Sequence, residues 1–425
     1  MSRNKKQTLQ APKLEVKPIK RRLIAPAGSS REIWYRPTIS GWTPSKVEAA
    51  RNQAETGSML LLADLVETMH RDARIQGVLS TRTHGMLGLP LEFEGGSEEA
   101  RTALASKNET SQVSSFWAMH KESELTKLLR YGLLLGVGLA QIVELPRAAG
   151  KPHRYRLDVW SPRWLTYYHY GFGNGGSRWQ VQTQAGMEDV VPGDGKWVLF
   201  LPYGERRPWS EGLWNQLSFP WLLKHYSMED RANFGEALGS PIWVGNTKHG
   251  GTEKQRNKFL SELKNMGKNG KIVLPEGWEL KLVEASSSGK SGDVFSQQIK
   301  DSNEEITIAL AGQLVTTEGT AGFSNGSVQE NIHQNLLRFD AKRLAECLHE
   351  QTLEHWALYN YKNRSAAPWP KWQTEKPEDM TEKADGIKKI GDAVTAINAA
   401  VATYGVKVDV MGLMQQFNIP MVSNV

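Results

Sequence analysis

The residues whose types and spacing come closest to known chemistry are Glu284–Ser291, E-A-S-S-S-G-K-S. They lie between a strand pattern and a helix pattern, the setting in which a glycine-rich loop cradles phosphates and a lysine reaches them. The first glycine of such a loop permits the backbone turn around the phosphates. Glu284 stands in its place, and a carboxylate there repels them. No apolar strand ending in Asp follows to hold magnesium. The segment reads as a flexible Ser/Gly linker. A nucleic-acid enzyme with a degenerate P-loop at Glu284–Ser291 is the rival reading of the chain. Gly171–Gly176, GFGNGG, fits a dinucleotide fingerprint by letter, but the next segment, SRWQVQ, is a strand. No helix N-terminus is then available for a pyrophosphate, and the glycines read as a hairpin turn. His349 and His355 are six residues apart, about 120° out of line on a helix, whereas a helical zinc protease needs a spacing of four. Glu304 and Glu305 are neighbours in sequence and point in different directions. No catalytic residue, metal site or cofactor is expected.

Nine of the fifteen tryptophans fall in Trp160–Trp278. Exposed, they could stack on bases. As a group of large rings they read as anchors of core and subunit interface.

The elements that would carry these residues follow from periodicity. Thr43–Glu55 and Ser58–Met86 read as helices; in the second, Leu62, Leu65, Val66, Met69 and Leu79 share a face. Leu87–Glu94 reads as a strand ended by Gly95-Gly96. Ser97–Met119 and Glu122–Leu135 read as helices, the first opening on the acids Glu98 and Glu99. Gly132–Leu145 is the most apolar run, too short to span a bilayer, and reads as a helix end followed by a buried strand. Arg154–Trp160, Trp164–Tyr170, Trp179–Gln184 and Trp197–Leu201 form an antiparallel β region between turn signals. Trp221–Leu238 is expected to be a helix that starts after Pro220 and is broken at Ser240-Pro241. A small αβ insert follows over Pro241–Ala285: strand Ile242–Gly245, helix Thr252–Met266, strands Lys271–Leu274 and Glu279–Glu284.

Two long helical patterns, Asp293–Gly312 and Val328–Tyr359, then flank Gln313–Ser327, QLVTTEGTAGFSNGS. That connection holds six Ser, Thr or Asn residues and no Lys or Arg, so it cannot bury itself and is expected to be mobile. After a Pro/Trp-rich linker, Ala366–Pro377, residues Ile387, Ile390, Val394, Ile397, Val401 and Tyr404 keep a narrow helical seam that Gly405 ends. Val408–Phe417 starts another helix.

The charge is unevenly placed. Met1–Arg31 holds nine Lys/Arg and one Glu, a net of +8, while the whole chain is +6; Glu32–Val425 is therefore −2. The basic balance belongs to an arm that reads as disordered, and the body lacks the basic patch of a DNA-binding domain. A monomeric DNA-binding adaptor using this arm is a third reading. The start is basic without an apolar run, so no secretory signal is expected. The one cysteine, Cys347, excludes an internal disulfide, suits a reducing compartment and reads as a packed core thiol.

Several blocks in order resemble the portal proteins of tailed bacteriophages, in the Mu-like branch. They are LVETMHRDARIQGVLSTRTHGMLGLPLEF, FGEALGSPIWVG, GKIVLPEGWELKLVEA, the helix ending IALAGQ, LVTTEGTAGFSNGS, RFDAKRLAECLHEQTLEH and YGVKVDVMGLMQQFNIP. The resemblance runs from about Ser58 to Pro420 and implies an α+β subunit. Its parts would be a basic arm (1–35), a wing of helices and antiparallel β structure (36–212), a first stem helix (213–239), an αβ clip (240–292) and a second stem helix (293–312). A tunnel loop (313–327), a long wing helix (328–365) and a linker with a helical crown (366–425) complete it. The implied function is mechanical. A homo-oligomeric ring, dodecameric in assembled particles of the family, sits at one capsid vertex of the virion and is the channel for DNA packaging and ejection. The implied partners are double-stranded DNA, the terminase large subunit (the separate ATPase), major capsid and scaffold proteins, and head–tail connector proteins. No membrane is involved, and assembly takes place in the host cytoplasm. Val315, Thr316, Thr317, Glu318, Thr320, Phe323, Ser324 and Asn325 would line the DNA channel, and Lys248, Lys254, Arg256 and Lys258 of the clip would meet a partner.

Overall fold

The computed structural model describes residues 41–107, 112–146, 152–169, 178–239, 242–247, 252–265, 278–283, 290–313 and 323–374, with short helical pieces at 388–389, 391–393 and 395–396. The chain divides into two units, Met1–Trp372 and Gln373–Val425.

In the first unit, helix α1 (Pro44–Glu55) starts behind Thr43, whose hydroxyl accepts the Lys46 N–H; Pro44 sits in the first turn, where its missing N–H removes no bond. The helix expected over Ser58–Met86 is two helices, α2 (Leu60–Met69) and α3 (Ala73–Leu87). Asp72 makes the break: its carboxylate accepts the N–H groups of Arg74 and Ile75 at 2.9 and 3.3 Å and caps α3. Strand β1 (Leu91–Glu94) follows. The expected helix Ser97–Met119 is likewise divided, into α4 (Glu98–Ala105) and α5 (Ser115–Met119), capped by Ser97 and Ser114. Helix α6 (Glu122–Leu135) ends at Gly136, φ +92°, where an added Cβ would run into the Pro208 carbonyl.

Then come β2 (Gly138–Glu144), β3 (Tyr155–Trp160), β4 (Leu165–Tyr168), β5 (Arg178–Thr183), β6 (Gly186–Val190) and β7 (Trp197–Phe200). They form two antiparallel sheets, ordered β3-β2-β7 and β4-β5-β6. Strand β6 is not among the expected strands; of its five residues only Val190 is buried, so no apolar alternation marks it.

The sheet β3-β2-β7 is covered on both faces. Leu139, Trp197 and Leu199 point into one core with α1, α2 and β4–β6, while Ala140, Ile142, Val198 and Phe200 point into a second core with α4, α5 and the later helices. That two-way alternation is what the near-continuous apolar run Gly138–Val143 reflects. Six of the clustered tryptophans, Trp160, Trp179, Trp197, Trp209, Trp214 and Trp221, are buried in the first core.

Helix α7 (Trp214–Gly239) starts well before Pro220, which lies inside it. Strand β8 (Ile242–Thr247), helix α8 (Glu253–Asn265) and strand β9 (Trp278–Val283) follow, β8 pairing antiparallel with β9 from Ile242↔Val283 to Thr247↔Trp278. The expected strand Lys271–Leu274 lies outside the described residues. Helix α9 is Lys290–Ala311 and α10 is Phe323–Leu348. The rod beginning with α10 widens into a π turn at His349–Leu353 and resumes as α11 (Glu354–Tyr361). Cys347 is buried there, and burial pushes its thiol up from the usual range. Strand β10 (Trp369–Trp372), expected to be linker, pairs antiparallel with β1 from Leu91↔Trp372 to Glu94↔Trp369. In the second unit the described pieces between residues 388 and 396 are helical. The seam residues Ile387, Ile390, Val394, Ile397, Val401 and Tyr404, with Gly405 and Val408–Phe417, lie outside the described residues.

Candidate functional site

Helices α7 and α9 pack along each other more extensively than any other pair of elements. They run antiparallel. Phe234, near the end of α7, meets Phe295, near the start of α9, with ring centroids 6.0 Å apart. Lys224 of α7 and Thr307 of α9 both reach the first turn of α3. At one end of this pair the chain continues through β8, α8 and β9. At the other it leaves α9 for residues 312–322 and returns as α10.

Polar side chains of α3 hold this second end. The Asp72 carboxylate meets Lys224 Nζ at 2.7 and 2.9 Å, and His225 Nε2 lies 3.5 Å away. Burial works against ionisation of Asp72, but His225, Lys224 and the Ile75 N–H outweigh it and hold the carboxyl well below the usual range. Arg74 Nε donates to Thr307 Oγ1 at 2.7 Å. Arg82 grips both oxygens of Asp340 on α10, at 2.6 and 2.9 Å, and donates a third bond to the Leu310 carbonyl at 2.9 Å. The two side chains of that pair are 7% and 1% exposed, so the ion pair is dry. Burial opposes the charge on Arg82, and the bond and charge of Asp340 raise its pKa above the ordinary value. A cavity of about 390 Å³ opens beside these bonds, lined by Arg74, Gly77, Thr81, Ala311, His333 and Leu336 among others.

The outward surface of the helix pair is acidic. Glu229, Asp230, Asp293, Asp301 and Glu305 are exposed, against Arg231 and Lys300. Such a surface repels phosphate groups.

Of the residues singled out by sequence, Val315, Thr316, Thr317, Glu318 and Thr320 lie outside the described residues. Phe323, Ser324 and Asn325 do not lie in a loop. Helix α10 begins at Phe323, five residues before the expected start at Val328. Ser327 and Val328 offer no break, and only residues 312–322 separate the two helices. Lys254, Arg256 and Lys258 are exposed on α8, and Lys248 lies outside the described residues. The near P-loop is split: α9 already begins at Lys290, and residues 284–289 lie outside the described residues. His349 donates through Nδ1–H to the Pro368 carbonyl at 3.1 Å and its ring stacks on Trp369, while His355 packs edge-on to Tyr359. Among the described residues no group of three or more His, Cys, Asp or Glu could hold a metal ion. No described helix is long and apolar enough to cross a membrane.

Arg82, Asp340, Asp72 and Lys224 were missed by the sequence reading. Asp72 carried a signal, an Asp directly before a helical run; the two pairs span 258 and 152 residues and leave no local trace.

Comparison with known proteins adds the following. Residues 63–406 match the family model of the portal protein of Mu bacteriophage. The chain is 25% identical over 319 residues to the Mu-like prophage FluMu protein gp29 of Haemophilus influenzae, covering 73% of this chain and 59% of that protein. It is 27% identical over 146 residues to the portal protein of Escherichia phage Mu, covering 34% of this chain and 28% of that protein. The chain thus spans less than two thirds of the length of either relative. Among solved structures, a chain from the virion of a native gene transfer agent particle is similar with a TM-score of 0.49 and 12% identity, covering 89% of this chain and 95% of that one. An HK97 family phage portal protein from Corynebacterium diphtheriae is similar with a TM-score of 0.42 and 8% identity, covering 72% and 94%. The match over residues 63–406 takes in both long helices, the β8–α8–β9 insert between them and the Arg82 junction, and the chain belongs to the portal protein family of Mu bacteriophage.

Proposed function

We propose that this chain is a portal subunit. Copies of it form a closed ring, a dodecamer by family analogy, at one vertex of the capsid, assembled in the host cytoplasm and carried in the virion. Double-stranded DNA passes through the ring during packaging and ejection. In this reading α7 and α9 are the stem, β8–α8–β9 is the clip, residues 314–322 are the tunnel loop and the second unit is the crown. The terminase large subunit docks at the clip, where Lys254, Arg256 and Lys258 are exposed, with Lys248 beside them in sequence. Major capsid, scaffold and head–tail connector proteins bind elsewhere on the ring. The chain has no catalytic residue of its own, and the ATPase is the separate terminase.

The observation that carries this reading is the family match across residues 63–406. The antiparallel helix pair, with an αβ insert at one end and a short connection at the other, supports the assignment of parts. The near-neutral body and acidic helix surface suit a conduit that releases DNA as readily as it meets it.

Negative-stain images of the purified protein and of particles containing it test the reading. Rings with a central hole are expected. Monomers or two-fold dimers alone, at high concentration and in particles, refute it. The rival P-loop enzyme is separated by an ATP hydrolysis assay on the purified chain, in which no turnover is expected.

A further inference from the structure

Arg82 stands out because one guanidinium holds two different helices. Through Nε and Nη2 it binds both carboxylate oxygens of Asp340, in the middle of α10. Through Nη1 it binds the carbonyl of Leu310, in the last turn of α9. That carbonyl is one of the four at a helix end that have no partner within the helix. Arg82 itself is carried by α3, whose N-terminus is fixed to α7 by Asp72 and Lys224. The helices that Arg82 joins are the two that carry residues 314–322.

Leu310 and Ile306 of α9 and Leu337 and Ala341 of α10 are buried around the clamp, but the contact loosens towards the ends of the two helices. Ile308 at the end of α9 is 41% exposed and Ile332 on α10 is 37% exposed. Gly312, with φ +70°, presents no side chain, and the nearest atoms to its missing Cβ belong to Ile332 and Leu336. Apolar contacts are not directional and by themselves discriminate weakly between neighbouring registers. A planar donor fork bound to a carboxylate on one helix and a carbonyl on the other does, because all its bonds are directional.

We propose that Arg82 is a positioning residue: it fixes the register of the end of α9 against α10, and with it the spacing of the two points from which residues 314–322 are held. Its meaning for DNA passage rests on the portal reading; the clamp itself does not.

The test uses the full chain with Cys347→Ala, spin-labelled at Val294→Cys on α9 and Lys342→Cys on α10, both exposed. Distances are measured by pulsed electron paramagnetic resonance in the parent, in R82K and in R82M/D340L. Lysine keeps the charge but is a flexible point donor without the planar fork that fixes both partners in one geometry. The double variant strands no charge, and apolar replacement of a buried pair is commonly neutral for stability. One narrow distance is expected in the parent. A broadened or shifted distribution is expected in both variants, with R82M/D340L still folding cooperatively and its melting temperature lowered only by the loss of the donor to the Leu310 carbonyl. An equally narrow, unshifted distance in both variants overturns the proposal and leaves Arg82 as ordinary packing. In particles carrying R82K, rings are expected to form while packaged DNA falls. Rings with packaging at the parental level remove the clamp from any role in DNA passage. Absence of rings in the parent itself counts against the portal reading, and the distance measurement still decides the clamp.

Discussion

The Gln351 side chain lies along Leu199 as a neighbouring strand would: its Oε1 accepts the Leu199 N–H at 2.8 Å and its Nε2 donates to the Leu199 carbonyl at 2.9 Å. Leu199 is in β7, the outer strand of the buried sheet, so these backbone groups have no further strand to meet. Gln351→Leu leaves both stranded in the core, at roughly 1–3 kcal/mol for each buried group. Gln351→Glu places a carboxyl in the core against the Leu199 carbonyl, which favours its protonated form, so its loss is expected to grow as the pH rises. Denaturant unfolding gives both values, and an unchanged midpoint for Gln351→Leu would show that the contact is dispensable.

Asp72 is the second point at which one side chain has several partners. Asp72→Ala removes the cap of α3 and leaves Lys224, 4% exposed, without its counter-charge. Removing one member of a buried pair costs about 3–5 kcal/mol. Adding Lys224→Met to that variant is expected to restore much of the loss, because the stranded charge goes with it. A double variant no more stable than Asp72→Ala would mean that the cap, and not the ion pair, is what matters.

His120 gives the molecule a pH response of known sign. It is fully buried, its Nδ1 facing the Phe116 carbonyl at 3.1 Å and its Nε2 facing Tyr155 OH at 2.8 Å and Thr352 Oγ1 at 3.1 Å. The carbonyl can only accept, so Nδ1 carries the proton and Nε2 accepts from Tyr155. Burial lowers the pKa from 6.5 to about 3, with the Phe116 carbonyl acting in the other direction. Between those values the unfolded chain binds the proton and the folded chain does not. Stability contributed here is therefore intact above pH 6.5 and is lost as the pH falls towards 3, at about 1.4 kcal/mol per pH unit for one proton. Unfolding free energies of the parent and of His120→Gln, measured between pH 7 and pH 4, should differ in slope by about that amount. Parallel curves would show that His120 takes up its proton at the same pH in the folded and unfolded chain.

The connection between α9 and α10 carries Thr316, Thr317 and Thr320 and no Lys or Arg. If it faces DNA, replacing these three threonines with lysine adds phosphate contacts without changing the helices. Rings are then expected to assemble normally while packaging slows or stalls, most at low salt, where each added contact binds tightest. Parental packaging rates at low salt would take this segment out of the channel.

Much of the architecture was legible in the residues. The insert between two long helices, the run of short strands, the buried strand after Gly136 and the tryptophan core all follow from periodicity and turn chemistry. What was not legible had physical reasons. Pro220 read as a start, yet Leu217 and Trp221 on either side of it are fully buried, and their packing keeps the helix intact across it. The segment Trp369–Trp372 read as linker because of Pro370, but its pairing leaves it at the edge of a two-stranded ribbon, where proline is tolerated. Arg82 and Asp340 carry no local signal that would single them out. Only the third dimension brings them together, 258 positions apart.

The widened turn at His349–Leu353 has the form of a single inserted residue. Ahead of it Leu337, Ala341, Leu344 and Leu348 face the second core, and beyond it Trp356 and Ala357 face the same core. An unbroken α-helix through this stretch would rotate the later pair by about 100° and turn Trp356 away from that core. Relatives that keep a plain helix here should therefore be one residue shorter between Leu348 and Trp356, and the gap in an alignment belongs inside HEQTL. Deleting a residue at that point should harm the protein more than deleting one almost anywhere on its surface, although the sequence there looks like an ordinary stretch of helix.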